Sequence, residues 1–470
     1  MNAPQLAMLS LCCGVLMVAL DATVVNVAVP SIARDLHFPE TSLPWMVNAY
    51  LGTFGGFLLL AGSLGDVFGH RRAFVFGVLL FTTASLLCGV ASSAIMLIVA
   101  RAAQGFGGAL VSTTAVVLIL TLFPDASSRA RALGIFALIG AIGGSAGVFL
   151  GGTVVGLWNW RWVFFINVPV GVAISAICWV LMPRDQIPVC PRRLDVAGAV
   201  SVTAALMLAN YALLSVPAGS ENVEHILPFI GSGLLLMLFI GIENRVDFPI
   251  VPLALLGSRN LAAVNIAGAL LSGAALSWTF VSSLYMQRVL DFTPFQAGAA
   301  FLPVNFLDAL ISILIIPRLM KRFKAKSLIV VGMLLMGFGL ALFARIPIDG
   351  TFMRDVLPGM VFLGMGIGVT YGPLFLSAMS GVPADESGAV SGIVNASWTL
   401  GGTVGLTLLL STAMAHTGEL AHSERGELLV MRGAEYQTCF CLAAIAIVIA
   451  ATVSGLFIHT RADELQREVV

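Results

Sequence analysis

The stretch RALGIFALIGAIGGSAGVFLGGTVVGLW, residues 131–158, decides the fold of this chain. Its letters GGSAG match the G-x-S-x-G pattern of a hydrolase nucleophile elbow, in which a strand precedes the serine and a helix follows it. Here the sequence is apolar on both sides and offers Ser145 no polar partner. Gly143, Gly147 and Gly151 instead recur every four residues, a spacing that lets membrane helices pack closely. We therefore interpret the stretch as a glycine-faced membrane helix without a catalytic residue.

The composition of the whole chain agrees with a membrane protein. Of its 470 residues, 59% are hydrophobic and only 10% are charged, and its mean hydropathy is +0.99. Soluble domains carry about 25% charged residues, so this chain has too few to cover a surface in water. The 24 basic and 24 acidic residues balance, which leaves no basic field to attract nucleic acid. The composition predicts a polytopic membrane protein and excludes a soluble domain.

No pattern in the chain predicts a cofactor or a metal site. Of the seven cysteines, only Cys190 lies outside an apolar run, and no C-x-x-C pair occurs. The nucleotide-binding pattern G-x-x-x-x-G-K-[ST] is absent, and the glycines of QGFGGAL (104–110) and GMGIGV (364–369) lie inside apolar segments, as packing glycines do. The N-terminus lacks a positive n-region, so we predict a first spanning helix and no cleaved signal peptide.

Fourteen segments are long and apolar enough to cross a membrane, which takes about 20 residues. The predicted spans are 7–29, 44–64, 73–92, 96–121, 131–156, 162–182, 194–215, 227–242, 261–287, 296–317, 327–345, 353–379, 387–413 and 436–458. An even number puts both termini on one side of the membrane. If that side is the cytoplasm, 16 basic residues lie inside and seven outside, so the positive-inside rule orients both termini to the cytoplasm.

Apart from charged residues in the first or last three positions of a span, three acidic or basic residues lie within the predicted spans, namely Asp21, Arg101 and Asp308. Each costs about 2.5–3.5 kcal/mol at a helix centre on insertion scales, so each is expected to be paired, hydrated or functional. For Arg101, a purely structural role in tying helices together stays open. The two carboxylates are stronger functional candidates, because proton coupling requires a group whose protonation depends on its surroundings.

Other polar residues share helix faces with these three and indicate a bundle with a polar interior. The residues that share a face are Arg101 with Gln104, Asn305 with Asp308 and Ser312, and Ser391 with Asn395.

Several motifs, in this order along the chain, are typical of one family. LDATVVNVAVPSI (20–32) resembles its first-helix motif, GSLGDVFGHRR (62–72) its loop between helices 2 and 3, and RAAQGFGGAL (101–110) its helix-4 motif. WRWVFFINVPVG (160–171) resembles a stretch of the 14-helix members, and SGIVNASWTLGGTVG (391–405) continues the match. The chain thus resembles the 14-helix drug:proton antiporters of the major facilitator superfamily, which include multidrug and methylenomycin-resistance-like efflux transporters.

The resemblance implies an all-α fold of two six-helix bundles with two extra central helices, fourteen transmembrane helices in total. The expected parts are an N-terminal half at 1–183, an inserted helix pair at 184–259, and a C-terminal half with a short cytoplasmic tail at 260–470. The loop PRLMKRFKAKS (317–327) echoes the first half's signature loop without its glycine. The expected location is the bacterial cytoplasmic membrane, and the expected state is a monomer.

The resemblance also implies roles for particular residues. Proton coupling would fall to Asp21 and Arg101. Substrate binding would fall to Asp308, which would recognise cations, together with Asn305, Asn395 and Trp398. Inward closure would be gated by the signature loop, whose residues are Gly62, Gly65, Asp66, Gly69, Arg71 and Arg72. The alternative for Asp66, Arg71 and Arg72 is that they belong to a solvated positive-inside loop without a gating role. The helix-5 antiporter packing motif would consist of Gly143, Gly147, Gly151 and Gly152.

Two positions depart from the family pattern. Val148 stands where the helix-5 motif usually has proline, which predicts a straighter helix and leaves the proton seal less assured. His70 stands in the signature loop where a basic residue is common. A histidine there could make gating sensitive to pH, although a surface histidine is usually only solvated.

The predicted function is proton-coupled efflux of lipophilic or cationic drugs or antibiotics by alternating access. One charge that crosses 100 mV supplies about 2.3 kcal/mol, which suffices for such export without a nucleotide. The expected partners are a small drug-like molecule, protons and membrane lipid, with sodium as an alternative coupling ion. Two other functions stay open, a dedicated exporter of one metabolite or antibiotic and a non-transporting membrane sensor or scaffold.

Overall fold

The computed structural model describes residues 3–39, 42–123, 126–182, 195–215, 223–246, 258–347, 350–380, 382, 387–418 and 427–458. Within these ranges the chain forms fourteen long helices and no strand. The helices are α1 Ala3–Asp35, α2 Trp45–Phe68, α3 His70–Gly89, α4 Ala94–Leu122, α5 Ala126–Leu157, α6 Trp162–Leu181, α7 Val196–Ser215, α8 Val223–Glu243, α9 Arg259–Arg288, α10 Pro294–Leu319, α11 Ala325–Phe343, α12 Phe352–Met379, α13 Ser387–Gly418 and α14 Glu427–Phe457.

Each predicted span corresponds to one of these helices, so the all-α prediction is confirmed. Thirteen helices in the described part of the chain are long and apolar enough to cross a membrane, and α5 adds the shorter apolar stretch Ala146–Leu157. The helix ends differ most at α14, which begins at Glu427 although the predicted span begins at 436. Backbone hydrogen bonds continue through a polar turn at a helix end, where hydropathy no longer identifies a span.

Three of the helices are irregular next to a proline. In α6, a break in the regular hydrogen bonding at Ile166, three residues before Pro169, separates the segments Trp162–Phe165 and Asn167–Leu181, although Ile166 itself keeps helical backbone angles. A π-helical turn precedes Pro317 in α10 and another precedes Pro358 in α12. Because proline lacks an N–H and clashes with the carbonyl four residues earlier, the preceding turn widens or breaks.

The chain folds as two compact units. Unit 1 comprises the described residues of Met1–Met207, Gly233–Val251 and Thr293–Ala299, and unit 2 those of Leu208–Ser232, Pro252–Phe292 and Ala300–Val470. Unit 1 has a core of buried side chains from α1, α3 and α4, among them Val15, Phe74 and Val111. In unit 2, α9 and α13 approach so closely that a side chain at Gly273 would lie 3.0 Å from the backbone of Gly405. The threefold division at residues 183 and 259 stays a prediction.

Candidate functional site: one paired and one unpaired carboxylate

Asp21 and Arg101 form a buried ion pair in unit 1. Asp21 lies just past the middle of α1 and Arg101 is the eighth residue of α4, and Arg101 Nη1 donates to Asp21 Oδ2. Both side chains are enclosed, with 0% of each exposed. Arg101 Nη1 also donates to Gln104 Oε1 at 2.9 Å, and Arg101 Nε donates to the Met46 carbonyl at 3.1 Å. The second charge is what makes the burial of each group tolerable.

Two uncharged side chains complete the shell of Asp21. Gln104 Nε2 donates to Asp21 Oδ1 at 2.8 Å, and Asn167 Nδ2 donates to the same oxygen at 3.0 Å. Asn167 lies on α6 and also donates to Ser85 Oγ on α3, at 3.0 Å. Helices α1, α3, α4 and α6 therefore meet in one hydrogen-bonded network around the carboxylate.

Aromatic rings cover the guanidinium of Arg101. Its central carbon lies 4.2 Å from the centroid of the Tyr50 ring and 5.9 Å from that of Phe164. Tyr50 is held in place because its hydroxyl donates to the Val18 carbonyl at 3.2 Å. A cation over a desolvated aromatic face gains about 2 kcal/mol. Arg101 Nη2 has no hydrogen-bond partner among the described residues.

Asp308 in unit 2 has a different environment. It is only partly buried, on α10 directly before the π-helical turn Ile311–Ile315. Its Oδ1 accepts from Ser312 Oγ at 3.2 Å, which confirms that the two share a helix face. Within the described ranges, no basic side chain pairs with Asp308. In this part of the chain, Asp308 thus differs from Asp21 in having no counter-charge.

An aromatic group lies near Asp308. Tyr371 on α12 is 40% exposed and lies one turn after Gly368, where a Cβ would be 3.0 Å from the Asp308 carbonyl oxygen; its hydroxyl lies 3.5 Å from Ser272 Oγ. Trp398 contacts Tyr371 edge-on with ring centroids 5.3 Å apart, and Phe375 is 6.1 Å from Trp398. Trp398 itself is only 4% exposed. Tyr371 is thus the exposed ring of this group and Trp398 the buried one.

The two asparagines predicted for substrate binding lie in the same unit. Asn305 is partly buried on α10, one turn before Asp308. Asn395 is exposed on α13 and donates to the Ser391 carbonyl at 2.9 Å, so the predicted four-residue spacing corresponds to a real contact.

The signature loop forms the tight turn between α2 and α3. Gly69 has a φ of 95°, a backbone conformation that residues with a side chain rarely adopt. His70 Nε2 lies 3.2 Å from Asp66 Oδ1, so the unusual histidine contacts the aspartate of the motif at this turn. Arg71 donates to the Trp179 carbonyl on α6 and lies 4.7 Å from the Trp179 ring centroid. Arg72 lies exposed beside it.

The other two signature-loop glycines differ in their surroundings. A side chain at Gly65 would lie 3.0 Å from Thr114 of α4, so the close approach of α2 and α4 requires glycine there. Gly62 has no atom within 4 Å of the position that a Cβ would take.

The glycines of α5 contact successive turns of α1. A Cβ on Gly143 would lie 2.8 Å from that of Ala19, and one on Gly147 would lie 2.9 Å from the Leu20 carbonyl. A Cβ on Gly151 would lie 2.8 Å from the Val24 carbonyl. The question raised by the GGSAG letters is thereby answered, because the glycines pack two helices together.

Gly152 of α5 packs against the first turn of α10 within unit 1. A Cβ on it would lie 2.9 Å from Gly298 Cα, and one on Gly298 would lie 2.8 Å from the carbonyl of Val148. The backbone at Val148 is therefore in close contact even though the motif proline is missing.

The order of the helices, the glycine contacts and the buried pair agree with the match to a known family. The model of the Major Facilitator Superfamily matches residues 11–406. The chain belongs to this superfamily. It is a multi-pass membrane protein, and its family is one of transporters and not of enzymes.

Relatives and a solved structure extend this assignment. The chain is 32% identical to the puromycin resistance protein pur8 of Streptomyces alboniger, over 95% of this chain and 90% of that protein. It is 33% identical to the cephamycin export protein CmcT of Amycolatopsis lactamdurans, over 87% and 85%. The crystal structure of a bacterial homologue of the human lysosomal transporter Spinster matches 97% of each chain with a TM-score of 0.69 at 16% identity, which supports the fold.

Two residues of these sites were not identified from the sequence. Asn167 lies within the quoted WRWVFFINVPVG motif, and its polar side chain in an apolar span was a signal that could have been used. Tyr371 lies in an apolar helix where its ring looks like ordinary lipid-facing bulk. Only the packing of α12 brings it near Asp308.

Proposed function

We propose that this chain exports lipophilic, cationic drugs or antibiotics from a bacterial cytoplasm in exchange for protons, by alternating access. The contrast between its two intramembrane carboxylates carries the proposal. Asp21 is paired with Arg101, whereas Asp308 has only the Ser312 hydroxyl among the described residues. The paired carboxylate suits proton binding, because any change in the pair changes its affinity for a proton. The unpaired carboxylate suits a cationic substrate.

The substrate site is proposed to lie around Asp308 in unit 2. Asn305 on the same helix and Asn395 on α13 supply polar contacts, while the exposed ring of Tyr371 provides an apolar and cation-attracting surface. Trp398 holds that ring in place. A carboxylate beside an aromatic face favours a delocalised organic cation over a small hydrated ion, since the ring cannot replace the hydration of a small ion.

The signature loop and the α5 glycines are proposed to control access. The Asp66–His70 pair and the contacts of Arg71 with α6 hold the α2–α3 turn against its neighbours. The glycine face of α5 keeps α1 close enough to exclude water and ions. Opening the cytoplasmic side then requires breaking polar contacts of the loop and leaves the glycine packing intact.

The proposed setting is the bacterial cytoplasmic membrane, with a monomer whose termini both face the cytoplasm, as the excess of basic residues in the inner loops favours. The N-terminal half at 1–183 would carry the proton site and the C-terminal half at 260–470 the substrate site.

A dedicated exporter of one antibiotic is the second candidate. The names of pur8 and CmcT each refer to a single antibiotic, puromycin and cephamycin, and this favours a narrow substrate range. The breadth of the response to a set of compounds separates the two candidates.

The test uses everted membrane vesicles that contain the protein and hold an inward-acid proton gradient. Tetraphenylphosphonium, other lipophilic cations and neutral antibiotics are added, and a pH-sensitive dye follows the dissipation of the gradient. We expect several unrelated compounds to dissipate it, and the Asp308→Asn variant to lose the response to cations while it keeps that to neutral compounds.

The matched control is Asp291→Asn, because Asp291 is exposed in the same unit and asparagine tolerates its φ of 53°. A response to one compound only would identify a dedicated exporter. Gradient dissipation by none of the compounds, at a wild-type expression level confirmed by immunoblot, would refute proton exchange.

A further inference from the structure

Asn167 occupies a special place in α6. It is the first residue of the segment Asn167–Leu181, directly after the break at Ile166, and it is only 6% exposed. Its neighbours Trp162–Phe165 form the short segment on the other side of the break. A buried uncharged amide at such a position is either a local helix contact or part of a longer-range network, and its hydrogen bonds decide between the two.

Both hydrogens of the Asn167 amide are used over long range. Nδ2 donates to Asp21 Oδ1 at 3.0 Å and to Ser85 Oγ at 3.0 Å. Ser85 in turn donates its single hydrogen to the Phe164 carbonyl at 2.9 Å. An ionised carboxylate can only accept, so the amide must present its nitrogen to Asp21 in this state.

Three side chains donate to the carboxylate of Asp21. Oδ1 accepts from Gln104 Nε2 at 2.8 Å and from Asn167, and Oδ2 accepts from Arg101. A proton that adds to Oδ1 would therefore meet two donors. Gln104 or Asn167 must move away or exchange donor for acceptor before a form protonated on Oδ1 is stable.

Only one partner can exchange roles easily. Arg101 has no acceptor atom. The oxygen of Gln104 is already engaged, since it accepts from Arg101 Nη1 at 2.9 Å and from the Cys88 thiol at 3.7 Å. A rotation of the Asn167 side-chain amide by half a turn exchanges the positions of Nδ2 and Oδ1. The amide oxygen, which has two lone pairs, can then accept from Asp21 and from Ser85.

We infer that Asn167 is the positioning residue of the proton site, which donates to ionised Asp21 and, after a half-turn of its amide, accepts from protonated Asp21. The inference rests on the proposed proton exchange. One proton adds to a carboxylate oxygen, and only hydrogen bonds are exchanged. Because the Ser85 hydroxyl then turns to the Asn167 oxygen, the Phe164 carbonyl loses its side-chain partner next to the α6 break. Proton uptake thereby changes the bonding of α6 where that helix is interrupted.

The other ionisable groups near Asp21 are occupied elsewhere. On α2, the Tyr50 hydroxyl donates to the Val18 carbonyl at 3.2 Å, and on α3, the Cys88 thiol donates to Gln104 Oε1 at 3.7 Å. Arg101 faces Asp21 from α4. The described side chains of α5 and α6 bring no ionisable group to it. Asn167 and Ser85 are thus the groups that can follow the proton.

The test measures proton release by purified protein when tetraphenylphosphonium is added, as a function of pH. Asn167→Leu removes a hydrogen bond from both forms of Asp21, but the bond to the charged carboxylate is the stronger of the two. The pH of half-maximal release is therefore expected to rise by about one unit, a tenfold change in proton concentration. Asn167→Gln keeps an amide and is expected to move the midpoint less. Asn210→Leu is the matched control, because Asn210 is a buried asparagine that bonds to Thr407 in unit 2.

The outcomes separate this inference from the proposed function. If wild-type protein binds the probe and releases no proton at any pH, the proposed exchange fails. If wild-type protein releases protons while Asn167→Leu and Asn210→Leu show the same midpoint, the role of Asn167 is overturned. If Asn167→Leu does not fold, the double variant Asn167→Gln/Ser85→Ala decides, because it lacks the link to Ser85. An unchanged midpoint of proton release in that variant also overturns the role of Asn167.

Discussion

Replacing Arg101 by leucine leaves the carboxylate of Asp21 enclosed without its counter-charge. Both side chains of the pair are 0% exposed, and breaking such a pair by removing one partner costs about 3–5 kcal/mol. The substitution also removes hydrogen bonds to Gln104 at 2.9 Å and to the Met46 carbonyl at 3.1 Å. We therefore expect Arg101→Leu to lower the free energy of unfolding by an amount in the upper part of that range.

Removing both charges is expected to cost less than removing one. In the double variant Asp21→Asn/Arg101→Leu no charge stays buried, and the loss is about 1 kcal/mol for each neutral hydrogen bond that is not replaced. Asp21→Asn alone leaves the guanidinium of Arg101 charged and enclosed, so it too should be less stable than the double variant. The order of stability is wild type, then double variant, then either single variant.

Purified proteins are heated in detergent, and the fraction that stays monodisperse is measured by size-exclusion chromatography at neutral and mildly acidic pH. In Arg101→Leu, acid protonates Asp21 and removes the buried charge, so its stability relative to wild type should rise as the pH falls. The double variant should show no such recovery. Arg345→Leu, at an exposed position in unit 2, is the control. Equal stability of Arg101→Leu and the double variant would refute the account of the pair.

Two further predictions concern packing and recognition. Gly147→Val places a side chain against the Thr23 turn of α1 and should lower stability by about 1–3 kcal/mol through overpacking, measured by the same heating assay. Gly62→Ala should have little effect, because nothing lies within 4 Å of the added carbon; equal losses for both glycines would contradict the close contact. Tyr371→Leu should weaken binding of tetraphenylphosphonium, by about 0.5–2 kcal/mol in equilibrium dialysis, while Tyr371→Phe keeps it. An equal loss in Tyr371→Phe would assign the effect to the hydroxyl.

Much of the fold could be predicted because hydropathy sums over whole helices. A span of about 20 apolar residues tolerates a few misjudged positions, and so all predicted spans correspond to helices. The charged members of the site were predictable for the opposite reason, since a single Asp21 or Arg101 in such a span carries a large cost. Asn167 and Ser85 carry a much smaller cost in a helix, and their contacts depend on how α3 and α6 approach α1.

The π-helical turns and the reach of Tyr371 could not be predicted from local sequence. A proline such as Pro317 predicts a disturbance in the helix but does not specify its form, because a kink, a break and a widened turn all relieve the same clash. In α10 the widened turn follows directly after Asp308. The position of that carboxylate relative to α12 depends on this choice, so the aromatic neighbour of the substrate site becomes visible only in the folded structure.

The different numbers of donors around the two carboxylates suggest why one protein would use one for protons and the other for cations. Asp21 meets donors on both oxygens and two of them on Oδ1, so a proton on Oδ1 requires a neighbour to change its orientation, and that requirement would link protonation to helix packing. Asp308 accepts from one hydroxyl among the described residues, so a cation can approach it without rearranging the network around Asp21. If one carboxylate served both purposes, the donors that make it sensitive to conformation would also occupy the atoms that the substrate needs. Separation of the two groups gives exchange without direct competition for the same oxygen atoms, and the link between them must then be conformational.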